Sequence, residues 1–75
     1  MKSHPVDSSV LLTVGYDGER RLLKVRFRNG RTYYYVDVPE PAHRELLEAE
    51  SKGKYLNEVI KPNYRAVRVE EDDEP

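Results

Sequence analysis

The dipeptide Asn29-Gly30 restricts the fold of this chain more strongly than any other short motif in it. It follows residues 21–28, in which apolar and basic side chains alternate, and it precedes the tyrosine-rich residues 31–38. Asn-Gly adopts the positive φ angles of a tight hairpin turn at low cost, so the pattern predicts two antiparallel strands. A third β-rich run, residues 10–16, ends at the turn dipeptide Asp17-Gly18. The sequence therefore predicts a three-stranded antiparallel β-meander.

Short helices are predicted after the meander, where they can cover its apolar face. Proline is well tolerated at the first position of a helix, so a helix is expected to begin near Pro41, and Gly53 is expected to end it. The apolar stripe of this helix consists of Ala42, Leu46 and Ala49, broadened by Leu47. A shorter helical stripe over residues 55–60 is closed by Pro62.

The predicted fold class is α+β, a three-stranded antiparallel β-meander covered by one or two short helices. Residues 64–69 leave two alternatives open, a short C-terminal strand or a segment packed along an edge. The chain is divided into a flexible N-terminus (residues 1–8), a single domain (residues 9–69) and a disordered acidic tail (residues 70–75).

The exposure of the tyrosines depends on the register of the hairpin. A two-residue turn pairs Val25 with Tyr34, which exposes Tyr33 and Tyr35 beside the basic side chains. A three-residue turn with a bulge at Gly30 pairs Val25 with Tyr33 instead and brings Tyr33 and Tyr35 into the core. The residues then expected in solvent are Lys24, Arg26, Thr32 and Tyr34. The bulge is favoured because it gives the fuller apolar face in a chain of only 75 residues.

The charge of the chain is unevenly distributed. The formal net charge is −1, but five of the 14 acidic residues are consecutive at positions 70–74, so residues 1–69 carry a net charge of +4. The tail is interpreted as a solvated end. The alternative is a tail that folds over a basic face and competes with a polyanion.

A set of short motifs follows one another in a characteristic order. It runs through Gly15-Tyr16, Val25-x-Phe27, Asn29-Gly30, Tyr33-x-Tyr35, Val38-Pro39, Ala49-x-Ser51-Lys52-Gly53, Tyr55-x-Asn57, Ile60 and Tyr64. In this order the chain resembles the KTSC domain, which occurs at the C-terminus of some lysyl-tRNA synthetases and also as a stand-alone bacterial protein. Leu56 departs from the pattern, where a second aromatic residue is expected.

The resemblance implies a binding module without established activity, for which RNA is the suggested ligand. The positions that it singles out are Tyr33, Tyr35, Ser51, Lys52, Gly53 and Asn57. Each of them can equally serve the fold, as core tyrosines, helix caps or a loop anchor.

The residues themselves also suggest contacts with nucleic acid. Candidate phosphate ligands are Lys24, Arg26, Arg28, Arg31, Lys52 and Lys54. Tyr34, or Tyr33 and Tyr35 together, would stack on bases. The run 51–54 precedes a predicted helix N-terminus, which favours an anion. The alternatives are a solvated strand face and a simple link between two helices.

The sequence predicts no catalytic site, metal site or small-molecule cofactor. The two histidines, His4 and His43, lie in no cluster with metal-ligand spacing, and cysteine is absent. The function expected is a non-catalytic module that binds RNA or another nucleic acid weakly. The alternative is a protein-interaction or homodimerisation module that uses an exposed sheet edge or a Tyr55/Leu56 surface. No membrane segment is predicted, so a cytoplasmic location is expected.

Overall fold

The computed structural model describes residues 3–69, and within them the sheet has five antiparallel strands. The strands are β1 (Ser3–Pro5), β2 (Leu11–Asp17), β3 (Leu22–Phe27), β4 (Thr32–Tyr35) and β5 (Ala66–Val69), and their order in the sheet is their order in the chain. The helices are α1 (Glu40–Glu48) and a continuous helical run of α2 (Lys52–Tyr55), a π-helical segment (Leu56–Ile60) and α3 (Lys61–Asn63). The predicted α+β class is confirmed, but the sheet has five strands rather than three.

The predicted meander forms the centre of this sheet, as β2, β3 and β4, and one further strand is added at each edge. On one side β1 pairs with β2, with Ser3 opposite Gly15, within the segment predicted to be a flexible N-terminus. On the other side β5 pairs with β4, with Tyr35 opposite Ala66. The C-terminal segment that the sequence left open is therefore a strand. The acidic tail predicted at residues 70–75 lies outside the described residues.

The hairpin between β3 and β4 has the bulged register. Gly30 has a φ of 94°, which a residue without a Cβ adopts readily. The amide of Phe27 donates to the carbonyl of Arg31 at 2.8 Å, and the side-chain oxygen of Asn29 accepts from the Arg31 amide at 2.9 Å. Val25 consequently lies opposite Tyr33. The favoured interpretation of the turn is confirmed.

The hydrophobic core lies between one face of the sheet and the helices. Its fully or nearly buried side chains are Leu11, Val14, Leu23, Val25, Tyr35, Val38, Ala42, Leu46, Leu56 and Ile60. Burial of a large apolar side chain contributes about 1.5–3 kcal/mol, so this cluster holds the helices on the sheet. Leu56 is 0% exposed, and the prediction that it forms an interaction surface with Tyr55 is therefore wrong.

The link between the helices differs from the prediction. The first helix ends at Glu48, before Gly53, and the Ser51 side chain caps the next helix by accepting from the Lys54 amide. Gly53 lies inside α2 and is buried, so it does not end a helix. A Cβ at this position would lie 3.1 Å from the Cβ of Val10. The glycine therefore permits a close approach between α2 and the segment before β2.

The other face of the sheet, which we call the outer face, carries Lys24 and Arg26 on β3 and Thr32 and Tyr34 on β4. Thr32 was expected in solvent, but it is only 1% exposed. The reason is its position between two neighbouring strands, opposite Arg26 on one side and Val69 on the other. Larger neighbours on both sides cover a short side chain, and the strand that brings Val69 was uncertain from the sequence. Tyr34 is partly exposed.

Within the described residues, no helix is long and apolar enough to cross a membrane.

Candidate functional site

Two adjoining grooves run along the side of the molecule where the hairpin meets the helical run. The aromatic groove, of about 540 Å³, is lined by four rings and by Val10, Asn29, Arg31, Asn57, Lys61 and Ala66. Its rings are those of Phe27, Tyr33, Tyr35 and Tyr64. The polar groove, of about 450 Å³, is lined by Asp7, Ser8, Ser9, Val10, Glu50, Ser51, Lys52, Gly53, Lys54, Asn57 and Glu58. Val10 and Asn57 line both grooves, which therefore form one continuous surface that we call the double groove.

The rings of the aromatic groove are arranged by the strands that carry them. Tyr33 and Tyr35 are two residues apart on β4 and share a face, with their ring centroids 6.5 Å apart. Phe27 meets Tyr33 edge to face, at 5.6 Å and 88°. Tyr35 is buried, while Phe27, Tyr33 and Tyr64 are partly exposed. Tyr35 therefore forms the floor of the groove, and the other three rings present surface to a ligand.

Cations stand at the rim of the aromatic groove. The Lys61 ammonium lies 5.9 Å from the centroid of the Phe27 ring, within the range of a cation–π contact. Arg31 and Lys61 are both exposed. Burial, with a further contribution from Tyr33, raises the pKa of Tyr35 above its ordinary value. The Tyr35 phenol therefore stays neutral, and the positive charge of the groove comes from its rim.

The polar groove is less suited to an anion than the sequence predicted. The Ser51 hydroxyl already accepts from the Lys54 amide at 3.3 Å, and the Lys52 ammonium donates to the Ala49 carbonyl at 3.2 Å. Three acidic side chains, Asp7, Glu50 and Glu58, also line this groove. Ser51 therefore caps α2 and residues 52–54 form its first turn, in which Lys54 is more exposed than Lys52.

Asn57 stands where the two grooves meet, on the π-helical segment. In this segment the Lys61 amide donates to the Leu56 carbonyl five residues before it. Pro62 follows this segment. Proline has no N–H to donate within a regular α-helix, and its ring would clash with the carbonyl four residues earlier. The wider π register accommodates the proline. Single π turns inside α-helices are frequent at functional sites, and this position favours Asn57 as a candidate site residue.

The structure divides the predicted site residues between two faces. The double groove collects Arg31, Tyr33, Tyr35, Ser51, Lys52, Gly53, Lys54 and Asn57. Lys24, Arg26 and Tyr34 lie on the outer face, where the Lys24 ammonium is 5.9 Å from the Tyr34 ring centroid. The Arg28 side chain donates from Nε to the Ser8 carbonyl at 2.7 Å and so ties the hairpin to the segment before β2.

Sequence reasoning did not assign Phe27, Tyr64 or Lys61 to the site. Phe27 and Tyr64 were named only in the family pattern, and Lys61 had no assignment. Phe27 and Tyr64 were already among the motif residues, so an aromatic count over the whole pattern could have indicated them. Lys61 enters the site only through the packing of the helical run beside β4, for which the sequence offers no local signal.

The other perturbed ionisable groups support packing between elements. The Tyr16 ring stacks on the His43 ring with 4.5 Å between the centroids, and the Tyr16 hydroxyl donates to the Val38 carbonyl. Burial lowers the pKa of His43. The Tyr55 hydroxyl donates to Glu45 at 2.7 Å, and burial together with this carboxylate raises the pKa of Tyr55 to about 12. Among residues 3–69, no group of three His, Cys, Asp or Glu side chains could hold a metal ion.

Comparison with known proteins places the chain in a family. The family model described as the KTSC domain matches residues 7–64. A protein from Tsukamurella paurometabola is 44% identical over 65 residues, which cover 87% of this chain and 97% of that protein. An uncharacterized protein from Stutzerimonas stutzeri is 42% identical over 71 residues, or 93% of this chain and 100% of that one.

Two further relatives extend the comparison. The crystal structure of a KTSC domain protein from Yersinia pestis superposes with a TM-score of 0.88 at 39% identity, covering 92% of this chain and 97% of that chain. A lysine–tRNA ligase from Nostoc punctiforme is 30% identical over 59 residues, which are 79% of this chain but 10% of that protein. The family match, these similarities and the shared fold together show that the chain belongs to the KTSC domain family.

Proposed function

We propose that this KTSC domain is a non-catalytic module that binds single-stranded nucleic acid, with RNA as the preferred ligand, in the double groove. The observation that carries the proposal is the aromatic groove, in which three partly exposed rings lie beside two exposed cations. Single-stranded nucleic acid is bound by this combination, because bases stack on rings while basic side chains hold the phosphates.

Each part of the groove has a matching part in the ligand. Tyr33 and Tyr64 offer ring surface for a base, and one base stacked on an aromatic side chain contributes about 1–3 kcal/mol. Arg31 and Lys61 line the same groove and would supply the positive charge for phosphate oxygens next to that base. Asn57 has an amide that can donate and accept, as recognition of a base edge or a 2′-hydroxyl requires.

The relationship to a lysine–tRNA ligase supports RNA over DNA. A domain similar to this chain lies within an enzyme whose name states that it joins lysine to tRNA. The relationship concerns 10% of that enzyme, so it suggests the class of ligand and leaves the sequence recognised undefined.

The proposed binding is weak and sensitive to salt. The double groove is lined by three exposed cations, Arg31, Lys54 and Lys61, and also by three acidic side chains, Asp7, Glu50 and Glu58. Each phosphate neutralised on a single strand contributes about −0.7 to the slope of log K against log salt. Three contacts therefore give a slope of about −2, and binding is expected to be measurable only at low salt.

The test is an NMR titration of the labelled protein with a short single-stranded RNA at low salt. We expect shifts at Arg31, Tyr33, Asn57 and Lys61 that fade as salt is added. Replacing Tyr33→Leu should weaken binding at least 5-fold, since one stacked base is lost. Tyr34→Leu is the matched control, because this neighbouring ring lies on the outer face.

Two results would count against the proposal. Equal losses in Tyr33→Leu and Tyr34→Leu, or no shifts in the double groove at millimolar RNA, would remove the basis for nucleic-acid binding there. DNA of the same sequence should bind more weakly if the 2′-hydroxyl is read.

The alternative function is binding of a protein strand at the β5 edge of the sheet. The observation that favours it is Val67, which is 45% exposed on an edge strand. Such edges accept an additional strand from a partner. Light scattering over a concentration series distinguishes the simplest case, a homodimer, and Val67→Lys should abolish a dimer formed at this edge.

A further inference from the structure

We propose that β1 is a pH-sensitive cover of one edge of the sheet, and that it separates from β2 when His4 and His43 are both protonated. Two histidines from different elements lie beside the same tyrosine ring. His4 is on β1, His43 is on α1, and the ring belongs to Tyr16 on β2. Neither histidine lines the double groove, so the cover operates independently of nucleic-acid binding there.

The positions of the two histidines follow from the sheet and from one ring contact. His4 lies opposite Val14 in the β1–β2 ladder, and opposite residues share a face of the sheet. Tyr16 is two residues beyond Val14 on the same face, where diagonal neighbours such as His4 and Tyr16 are about 7–8 Å apart. The His43 ring stacks on the Tyr16 ring, with 4.5 Å between the centroids and 11° between the planes. Protonation of both histidines therefore places two positive charges near each other on one face of the sheet.

The element that can yield to this repulsion is β1. It has only three residues, and all of its side chains are exposed. Just after it, the Val6 amide donates to the Leu12 carbonyl at 3.2 Å, and the partly buried Val6 side chain packs against the core. Segments with few buried contacts open at much lower free energy than the whole protein unfolds. The strand can therefore separate from β2 while Val6 keeps the following residues in place.

The helix on the other side of the ring, α1, is held by the core. Its residues Ala42 and Leu46 are buried there. The Tyr16 hydroxyl also donates to the Val38 carbonyl, just before this helix. Movement of α1 would expose apolar side chains to water, which is unfavourable. The repulsion between the histidines is therefore relieved by movement of β1.

The surroundings of His43 oppose its protonation on balance. Burial lowers the pKa of His43, and His4 acts in the same direction, whereas Glu40 acts in the opposite one. Glu40 lies one turn earlier on α1, but its carboxylate also pairs with the Arg44 guanidinium at 2.9 Å. The Glu40 carboxylate is thus shared between two partners, and the neutral imidazole is favoured while β1 is paired with β2.

The Tyr16 ring has charged groups of both signs around it. Arg21 adds to the positive charge near the ring, whereas the carboxylates of Asp17 and Glu40 offset part of it, and the Tyr64 phenol also faces it. Burial raises the pKa of Tyr16, so its phenol stays neutral over the pH range in which histidines titrate. The ring therefore supplies contact surface to both histidines and no charge of its own.

The sign of the pH dependence follows from the lowered pKa of His43. Separation of β1 removes the contribution of His4 and admits water to the ring, so His43 takes up a proton more readily in the separated state. The ordinary pKa of histidine is about 6.5. The paired state is therefore fully favoured above about pH 6.5 and loses stability as the pH falls toward the lowered pKa of His43.

Separation of β1 leaves β2 as the edge strand of the sheet. The backbone N–H and C=O groups on that side of β2 then lack their partners in β1, and an edge of this kind accepts an additional strand. At neutral pH β1 occupies this position, so β2 becomes available to a partner strand only under acidic conditions.

Hydrogen exchange measured by NMR on the full chain tests the cover. Protection factors of the β2 amides that face β1 are compared at about pH 7.5 and about pH 5, after correction for the intrinsic pH dependence of exchange. Two charges about 7–8 Å apart correspond to a fall of about 3- to 10-fold in these protection factors at the lower pH. Amides of the β3–β4 ladder are the internal reference and should change less, because only global unfolding exposes both sets together.

Two substitutions remove one charge each. His43→Phe keeps a ring that can stack on Tyr16 but cannot be protonated, and His4→Gln removes the other charge at an exposed position. Each should reduce the fall at acidic pH to less than about 2-fold. The chain contains two histidines, so the double variant has none left to titrate. Glu48→Gln removes an exposed acid on α1 instead and, as the control, should keep the pH dependence of the unaltered chain.

Any of three results would overturn the cover. A fall of equal size in the β3–β4 ladder would mean that the whole protein unfolds rather than β1 alone. A fall that persists in the double variant would assign the pH dependence to groups other than the histidines. A rise in protection at acidic pH would mean that a cation–π contact with the Tyr16 ring holds the protonated His43 in place.

Discussion

The contact between Gly53 and Val10 shows how a single residue positions the double groove. Both residues line the polar groove, and Val10 lines the aromatic groove as well. Alanine is favoured over glycine in a helix by about 1 kcal/mol. At position 53, however, the new Cβ would lie 3.1 Å from both the Cβ and the Cγ2 of Val10. The helix propensity and the steric contact therefore oppose each other at this position.

We predict that the steric contact prevails and that Gly53→Ala lowers the free energy of unfolding by about 1 kcal/mol. Urea denaturation measures the change. Gly18→Ala is the control, because the nearest atom to its new Cβ, on the Tyr16 ring, is at 3.8 Å and this substitution should be nearly neutral. Replacement of Val10→Ala in the Gly53→Ala protein removes the Cγ2 contact and should recover part of the loss. A stabilised Gly53→Ala protein would show that the segment before β2 yields easily.

At the scale of the elements, the hairpin could be predicted from sequence more completely than the edge strands. Asn29-Gly30 and the alternating run before it concern residues that are close along the chain, so both strands of the hairpin could be predicted from local pattern. That pattern allowed two registers, and the bulged one was favoured for its fuller apolar face. For β5, Val67 and Val69 made a strand one of two alternatives, whereas the side chains of β1 are all exposed and no apolar alternation marks that strand. The positions of both edge strands follow from pairing with β2 and β4.

The π-helical segment is the element that sets the direction of Asn57. Replacing Pro62→Ala provides an N–H that can donate to the Glu58 carbonyl, so we predict that the segment relaxes toward a regular α-helix and turns Asn57 relative to Lys61. If the proposed function holds, RNA affinity should fall about 2- to 10-fold, the cost of one misplaced hydrogen bond. Amide and carbon chemical shifts of Leu56–Ile60 report the change in helix type.

Pro41→Ala is the matched control for that substitution. Pro41 lies at the beginning of α1, where no intrahelical bond is missing, and it is absent from both grooves. It should leave RNA affinity unchanged. An unchanged π segment in Pro62→Ala would show that packing of the surrounding side chains, rather than the proline, holds the wider register.

For the whole molecule, the double groove is assembled from segments far apart in sequence. The segment before β2, the β3–β4 hairpin and the helical run each contribute a wall. Sequence patterns identified members of the hairpin and of the helical run but none of the segment before β2. They gave no means of joining these walls, because their contact depends on how the helices pack across the sheet. Lys24, Arg26 and Tyr34 are separated from the groove by the alternation of side chains along β3 and β4, as the bulged register predicted. The boundaries of the groove, in contrast, come from packing between elements.

A small core makes the whole fold depend on a few side chains, and Leu56 tests this dependence. Leu56 is 0% exposed in the hydrophobic core, whereas Leu47 on α1 is 36% exposed. Truncation of a fully buried leucine typically costs about 2–5 kcal/mol, while domains are commonly stable by only about 5–15 kcal/mol. We predict that Leu56→Ala lowers the free energy of unfolding by about 2–5 kcal/mol and that Leu47→Ala lowers it by less than about 1 kcal/mol. Urea denaturation of both proteins measures the difference. Similar losses in the two would mean that α1 and the π-helical segment contribute to one core more evenly than their burial indicates.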